Sequence, residues 1–277
     1  MEISSYLSEK QKKRRKRRAY FSIAITVVVV CLVFSGVLWI FTHVPLFKIR
    51  NIVVTGDDQV ASSDVIAVLQ SDALRNHGLV RSLMGIDNML VWPDSFSSSD
   101  LALLPEVSNA VIDKDYFTRT ITVNITERAP AGIWCFMPKL NAAGNPAGDE
   151  SCYWFDAGGV LFKRGFDTEG SSLFAIHDYS QADPGLGGKI LPDEFVANML
   201  SVVSTVRQSG ISISEIALRD ISLEEIDVTT YNGPDIYFSL RFPSDEDLPV
   251  MEDLMLRNNF AKLQYVDFRV ENRAYYK

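Results

Sequence analysis

The chain has 277 residues, 47% of them hydrophobic and 22% charged, with a formal net charge of −8. The charge is unevenly placed: eight of the nine residues from Lys10 to Arg18 are Lys or Arg, whereas residues 45–277 carry 19 Lys and Arg against 33 Asp and Glu, a balance of −14 (19 − 33). A body this acidic argues against nucleic acid and anionic lipid as its partners, and three cysteines are too few for a structural zinc site or a disulfide-dense scaffold.

The first element is apolar. Phe21–Phe41 is a run of 21 residues without a charge, roughly 31 Å as a helix, which matches the hydrocarbon core of a bilayer. Basic residues on one side only predict a cytoplasmic N-terminus, with the tail touching anionic headgroups rather than nucleic acid. Tyr20 and Trp39 stand near the two ends, where amphipathic rings favour the headgroup region. A cleaved signal peptide would have a shorter apolar core and a small-x-small site. The sequence Trp39-Ile40-Phe41-Thr42-His43-Val44-Pro45 has no such site.

Beyond the span, Phe47 and Ile49 share one strand face while Ile52 and Val54 sit on the opposite parity, so a bulge near Arg50-Asn51 is needed to align them. Ser62 or Ser63 caps a helix with the stripe Val65, Ile66, Leu69 and Ala73. After an irregular stretch, Ser99–Leu104 forms a short helix that Pro105 stops. Val107, Ala110 and Ile112 mark a strand. In the next, Ile121, Val123 and Ile125 alternate with Thr120, Thr122, Asn124 and Thr126. The order is β-α-α-β-β.

These residues carry a resemblance. Phe47, Ile49, Ile52, Val54 and Gly56 after a single span, then Val107, Ala110 and Ile112, then Glu127-Arg128-x-Pro130-Ala131, resemble the FtsQ/DivIB family of bacterial cell-division proteins. Asp156-Ala157-Gly158-Gly159-Val160-Leu161-Phe162 is similar to that family's D-x-x-G hairpin, and Tyr265–Lys277 to its terminal strand plus aromatic tail. The resemblance implies an α+β fold: a transmembrane helix, a POTRA (polypeptide-transport-associated) domain, then a mixed β-sheet domain with flanking helices. The domains would be a basic cytoplasmic tail at 1–18, the span at 19–44, POTRA at 45–128 and the β-rich domain at 129–277. Two departures stand out: Asp113–Phe117 replaces a basic, Pro-containing connection, and residues 76–94 and 139–150 are long inserts.

In the second part a helix starts at Pro192, with Phe195, Met199, Val202, Val203 and Val206 as its stripe and Gly210 as its stop. Strands are predicted at Ile213–Leu218, Ile226–Thr230 and Ile236–Phe242. A helix follows Asp245-Glu246-Asp247, with Met251, Leu254, Met255 and Phe260 inward.

No catalytic, cofactor or metal constellation assembles from these residues. His43 lies beside the membrane, and His77 and His177 fall in segments read as loops. Gly185–Lys189 lacks both the spacing and the Ser/Thr of a phosphate loop. The acidic runs Glu224-Glu225 and Asp245–Asp247 read as solvated turns and helix starts, and the sequon at Asn124 lies in mid-strand. Cys135 and Cys152 flank a Gly/Pro-rich loop; paired as a hairpin, their strands bring the thiols opposite each other, either bridged or as buried free thiols.

The reading is a non-enzymatic scaffold of the division septum, without cofactors. Resemblance implies FtsL-like and FtsB/DivIC-like partners and, through them, the septal peptidoglycan synthase. Tyr265–Val270 is expected at a sheet edge, accepting a partner strand, with Val266, Phe268 and Val270 inward and Tyr265, Asp267 and Arg269 outward. Tyr275 and Tyr276 would be interface anchors. Two other readings compete: a POTRA protein of membrane transport or assembly, and an anchored cell-wall enzyme.

Overall fold

The computed structural model describes residues 20–37, 39–40, 44–75, 84–140, 146–147, 149–166, 175–257 and 259–277. The basic tail, His43, His77 and most of the two long inserts' central residues lie outside them. The chain groups into two compact units, one of residues up to Thr55 with Ser62–Phe96 and Ala110–Asn124, the other of Gly56–Ala61, Ser97–Asn109 and Ile125–Lys277. The protein is α+β, with an N-terminal apolar helix and a large mixed sheet.

Helix α1, Tyr20–Val37, has a mean hydropathy of 2.4 and is long and apolar enough to cross a membrane, by length and composition. Its side chains are exposed all round. Pro45–Phe47 then forms a 3-10 turn with Pro in its first position. This departs from the predicted strand at Phe47. Phe47 and Ile49 instead bond to the irregular segment 85–92 (Met89 N–H to Phe47 O at 2.7 Å, Ile49 N–H to Asp87 O at 2.8 Å).

Strand β1 is Asn51–Thr55, and Arg50 and Asn51 both donate to Arg119 O, at 2.8 and 3.4 Å. The two donors share one acceptor where the strand begins, and the β1/β3 register then runs without a shift from Asn51 to Thr55. Helix α2, Ser62–Arg75, buries Val65, Leu69 and Ala73 and packs against β1. Helix α3, Ser98–Leu101, carries a full capping box: Ser97 Oγ accepts from Asp100 N–H, and Asp100 Oδ2 accepts from Ser97 N–H. Strands β2, Val107–Asp115, and β3, Thr120–Glu127, complete a three-stranded sheet of order β1-β3-β2. β1 runs parallel to β3, with Asn51 beside Thr120 and Thr55 beside Asn124. The alternation of β3 is realised: Ile121, Val123 and Ile125 are buried, the residues between them are not.

The second unit is built on a nine-stranded sheet of order β14-β13-β12-β11-β10-β9-β4-β7-β8. Its strands are β4 (Gly132–Phe136), β7 (Ser151–Phe155), β8 (Leu161–Arg164), β9 (Ala175–Asp178), β10 (Ile213–Leu218), β11 (Glu225–Thr230), β12 (Asp235–Ser239), β13 (Tyr265–Val270) and β14 (Arg273–Tyr276). A two-residue pair, β5 (Lys139–Leu140) with β6 (Pro146–Ala147), lies between β4 and β7 in sequence. Parallel pairs β4/β9, β9/β10 and β12/β13 are mixed with antiparallel neighbours. Helix α4, Asp193–Ser209, has Asp193 and Glu194 in its first turn and ends on Gly210 at φ 72°. With helix α5, Leu248–Leu256, it packs on one sheet face. Val196, Met199, Val202 and Val206 of α4 and Met251 and Leu254 of α5 join Trp134, Phe155, Ile176, Phe238 and Phe268 in one buried cluster. Each such side chain contributes about 1.5–3 kcal/mol by leaving water.

Cys135 and Cys152 face each other across the β4/β7 ladder and are joined as a disulfide, Cα–Cα 4.0 Å. Removing this cross-link, whose ends are 17 residues apart, should destabilise the fold by about 3 kcal/mol, since the loop it closes is lost from the unfolded state's constraints. Urea unfolding of Cys135→Ser/Cys152→Ser against the parent checks this. Gly56 holds φ 79°, and a Cβ there would meet the carbonyl oxygen of Ile125. Gly56→Ala should therefore cost at least about 2 kcal/mol in the same measurement.

A candidate partner-docking edge

The structure corrects the position of the free edge. Tyr265–Val270 is an inner strand, paired in parallel with β12 and antiparallel with β14. The outermost strand is β14, formed by the aromatic tail. Glu271-Asn272 makes the tight turn between them, and Asn272 adopts the left-handed conformation at φ 58° that the turn requires. Val266 and Phe268 are buried as expected, but Val270, the last residue of β13, is 46% exposed, and the β13/β14 register shifts between Asp267 and Val270.

Lys277 N–H donates to Tyr265 O, so strand alternation turns the N–H and C=O of Tyr276 away from β13, toward the open side. Tyr275 and Tyr276 are 48% and 51% exposed. Arg257 Nη1 reaches Tyr276 Oη at 3.4 Å. The opposite edge of the sheet is covered at its first residue. Leu161 of β8 exchanges hydrogen bonds with the Gly185–Gly188 loop (Leu161 N–H to Gly188 O 2.8 Å, Gly187 N–H to Leu161 O 2.7 Å), and Asp183 secures that loop by accepting from Gly185 N–H, Ser151 and Tyr153.

The face of the sheet away from α4 and α5 presents Tyr265, Asp267 and Arg269, which the sequence reading turned outward. Arg269 is the centre of a network absent from that reading. Its guanidinium donates to Asp267 at 2.7 and 2.9 Å and to Glu225 at 2.8 Å, and lies 4.9 Å from the Tyr237 ring centroid. Hydrogen bonds from Arg269 hold the Asp267 carboxyl below its ordinary range. No local sequence signal joins Arg269 to Glu225, 44 residues earlier.

His177 is another correction: it lies in strand β9, in register with Cys135 and Ala217, not in a loop. Its Nδ1 is 3.2 Å from Glu215, which also accepts from Tyr179 Oη at 2.7 Å and from Arg219 at 3.3 Å. Burial raises Tyr179 to about 12, with Glu215 adding to it. Burial opposes ionisation of Glu215, but hydrogen bonds from Tyr179 and His177 outweigh it and lower its pKa. A carboxylate with all these donors is a structural acceptor on the sheet face. Among the described residues, the one convergence of three potential metal-ligand side chains is Cys135, Glu150 and Cys152. Two of those donors are spent on the disulfide, leaving one carboxylate.

Beside the β13–β14 hairpin lies a cleft of ≈ 570 Å³ lined by Phe242, Val250, Phe268, Glu271 and the acidic run Asp245–Asp247. Asp247 Oδ2 is buried there without a hydrogen-bond partner. Desolvation, reinforced by Glu246, raises the Asp247 pKa to about 6. A carboxyl whose folded pKa exceeds its unfolded value of 3.8 weakens the fold as it ionises. Stability should therefore fall as pH rises from about 4 to about 6. Asp247→Asn should flatten that slope and gain about 1 kcal/mol at pH 7.5, after allowance for solvent screening, as measured by thermal denaturation across pH. Comparison with models of known protein families gives no match for this chain, and comparison with curated proteins gives none either.

Proposed function

We propose that this is a single-pass, non-enzymatic cell-division scaffold of the FtsQ/DivIB kind. In this reading α1 crosses the cell membrane with the basic tail in the cytoplasm, residues 45–128 form a POTRA domain outside, and residues 129–277 form the docking body at the septum. The observation that carries it is the order of parts among the described residues: one apolar helix, a β-α-α-β-β module whose third strand lies between the other two, then a mixed sheet ending in a strand that none of them covers. The motif residues also act together. Glu127 Oε1 accepts the N–H groups of Gln59 and Val60 at 2.7 and 2.8 Å, while Arg128 binds Pro105 O and the Asp156 carboxylate.

The docking mechanism is β-augmentation. A strand of an FtsB/DivIC-like partner adds to β14, Tyr275 and Tyr276 supply aromatic contact, and the acidic cleft suits a basic side chain of the incoming segment. FtsL-like proteins and the septal peptidoglycan synthase join through that partner. No cofactor is required.

The test is binding and location together. Tyr276→Pro removes one outward N–H from the edge while keeping the hairpin, and should weaken capture of the partner at least tenfold, about 1.4 kcal/mol. Co-purification from membranes measures this, and a fluorescent fusion should collect at mid-cell. An even membrane signal and unchanged co-purification would overturn the proposal.

A further inference from the structure

We infer that the β2–β3 turn is a second, interfacial membrane contact, inserting Phe117 into the headgroup region of the bilayer that α1 crosses. This rests on the membrane-crossing reading above. The sheet's topology sets the position. β1 begins at Asn51, and Pro45 is only five positions after Ile40, in the helical stretch, a reach of about 18 Å at most. Val44 N–H donates back to Ile40 O at 2.9 Å, shortening it further. β3 is parallel to β1 and starts in register with it, Thr120 beside Asn51. The turn that precedes Thr120 is therefore at the membrane-side end of the sheet.

Three contacts tie the turn to that end. Arg119 Nη1 donates to Pro45 O at 3.3 Å, Arg119 O accepts from Arg50 N–H, and the Tyr116 ring meets Phe47 edge-on with centroids 6.2 Å apart. The turn itself is built to a fixed shape. Asp115 Oδ1 accepts from Phe117 N–H at 2.8 Å and Thr118 N–H at 3.2 Å, and Arg119 takes the left-handed conformation at φ 58°.

The consequence is that Phe117 is held out 93% exposed, with Leu46 also 43% exposed in the adjoining 3-10 turn. An exposed phenylalanine on a rigid turn gains nothing from water, but an apolar ring at a bilayer surface does. Lys48 and Arg50 are exposed close by, and Asp113 and Asp115 offset them. With a body of net −14 (19 − 33), attraction to anionic lipid is not the driving term. The contact is apolar insertion, and neutral phosphatidylcholine suffices.

The experiment uses the full chain in phosphatidylcholine nanodiscs with an environment-sensitive thiol dye and spin-labelled lipid quenchers. Cys31 is the free cysteine, so the parent protein reports on the span itself. In a Cys31→Ser background, Thr118→Cys places the dye beside Phe117 while the Thr118 N–H bond to Asp115 remains. Asn124→Cys places it on β3 four residues beyond Thr120, about 13 Å farther along the strand.

Quenching of the Cys31 dye by bilayer-centre quencher establishes the crossing. Headgroup-region quencher should then reduce the Thr118→Cys emission roughly threefold more than the Asn124→Cys emission, as expected for a group 5–10 Å deep. Phe117→Ser should abolish that difference. Equal quenching at the two positions, or quenching that survives Phe117→Ser, overturns the inference with the crossing intact. An unquenched Cys31 dye removes the crossing and the inference together.

Discussion

An open sheet has two edges, and every exposed edge is a row of backbone donors and acceptors ready for another strand. The nine-stranded sheet treats its edges differently. On β8 the Gly185–Gly188 loop takes up the hydrogen bonds of Leu161, and Asp183 anchors the loop through three donors. On β14 no such covering segment lies among the described residues. A strand of four residues, short and carrying Arg273, is still a restrained edge, which favours one specific added strand over unlimited stacking.

The two faces of that sheet are also unlike. One is closed by α4 and α5 over aromatic and aliphatic side chains, including Phe238 and Phe268 stacked at 5.4 Å. The other carries ionic clusters, Glu215 with Arg219 and Asp227, and Arg269 with Asp267 and Glu225. Exposed pairs of this kind contribute about 0–1 kcal/mol each. Their value lies elsewhere: Arg269 and Glu225 stand on different strands, so a one-residue slip of β13 would separate Arg269 from Glu225 while also turning Val266 and Phe268 outward. Burial pushes Asp227 up even with Arg219 beside it, which marks how far this face is withdrawn from water.

What could be read from the sequence follows from how local its cause is. β3 was legible because its alternation lies within eight residues, and α4 because Met199, Val202 and Val206 repeat at helical spacing, although Val196 was passed over for Phe195. Phe47 was assigned to a strand on parity, whereas Pro45, two residues earlier, opens a 3-10 turn that includes it. β9 escaped notice because Ala-Ile-His-Asp is only four residues with one large apolar side chain. β14 escaped because Arg-Ala-Tyr-Tyr turns only Ala274 inward, too small a side chain to mark a strand. Mistaking β13 for the edge was the result: a sequence shows which strand is last but one, not what pairs with it. The motif residues Glu127, Arg128 and Asp156 stood out by resemblance, yet the bond between Arg128 and Asp156 joins positions 28 apart and has no local signature.

The parallel pairing of β1 and β3 has a consequence for biosynthesis. Asn51 finds its neighbour at Thr120, 69 residues later (120 − 51). At roughly 5–20 residues per second of chain elongation, β1 stays without its partner for about 3–14 s. Ile52 and Val54 stay outside any sheet until Thr120 has been made, and the first sheet closes only after that interval.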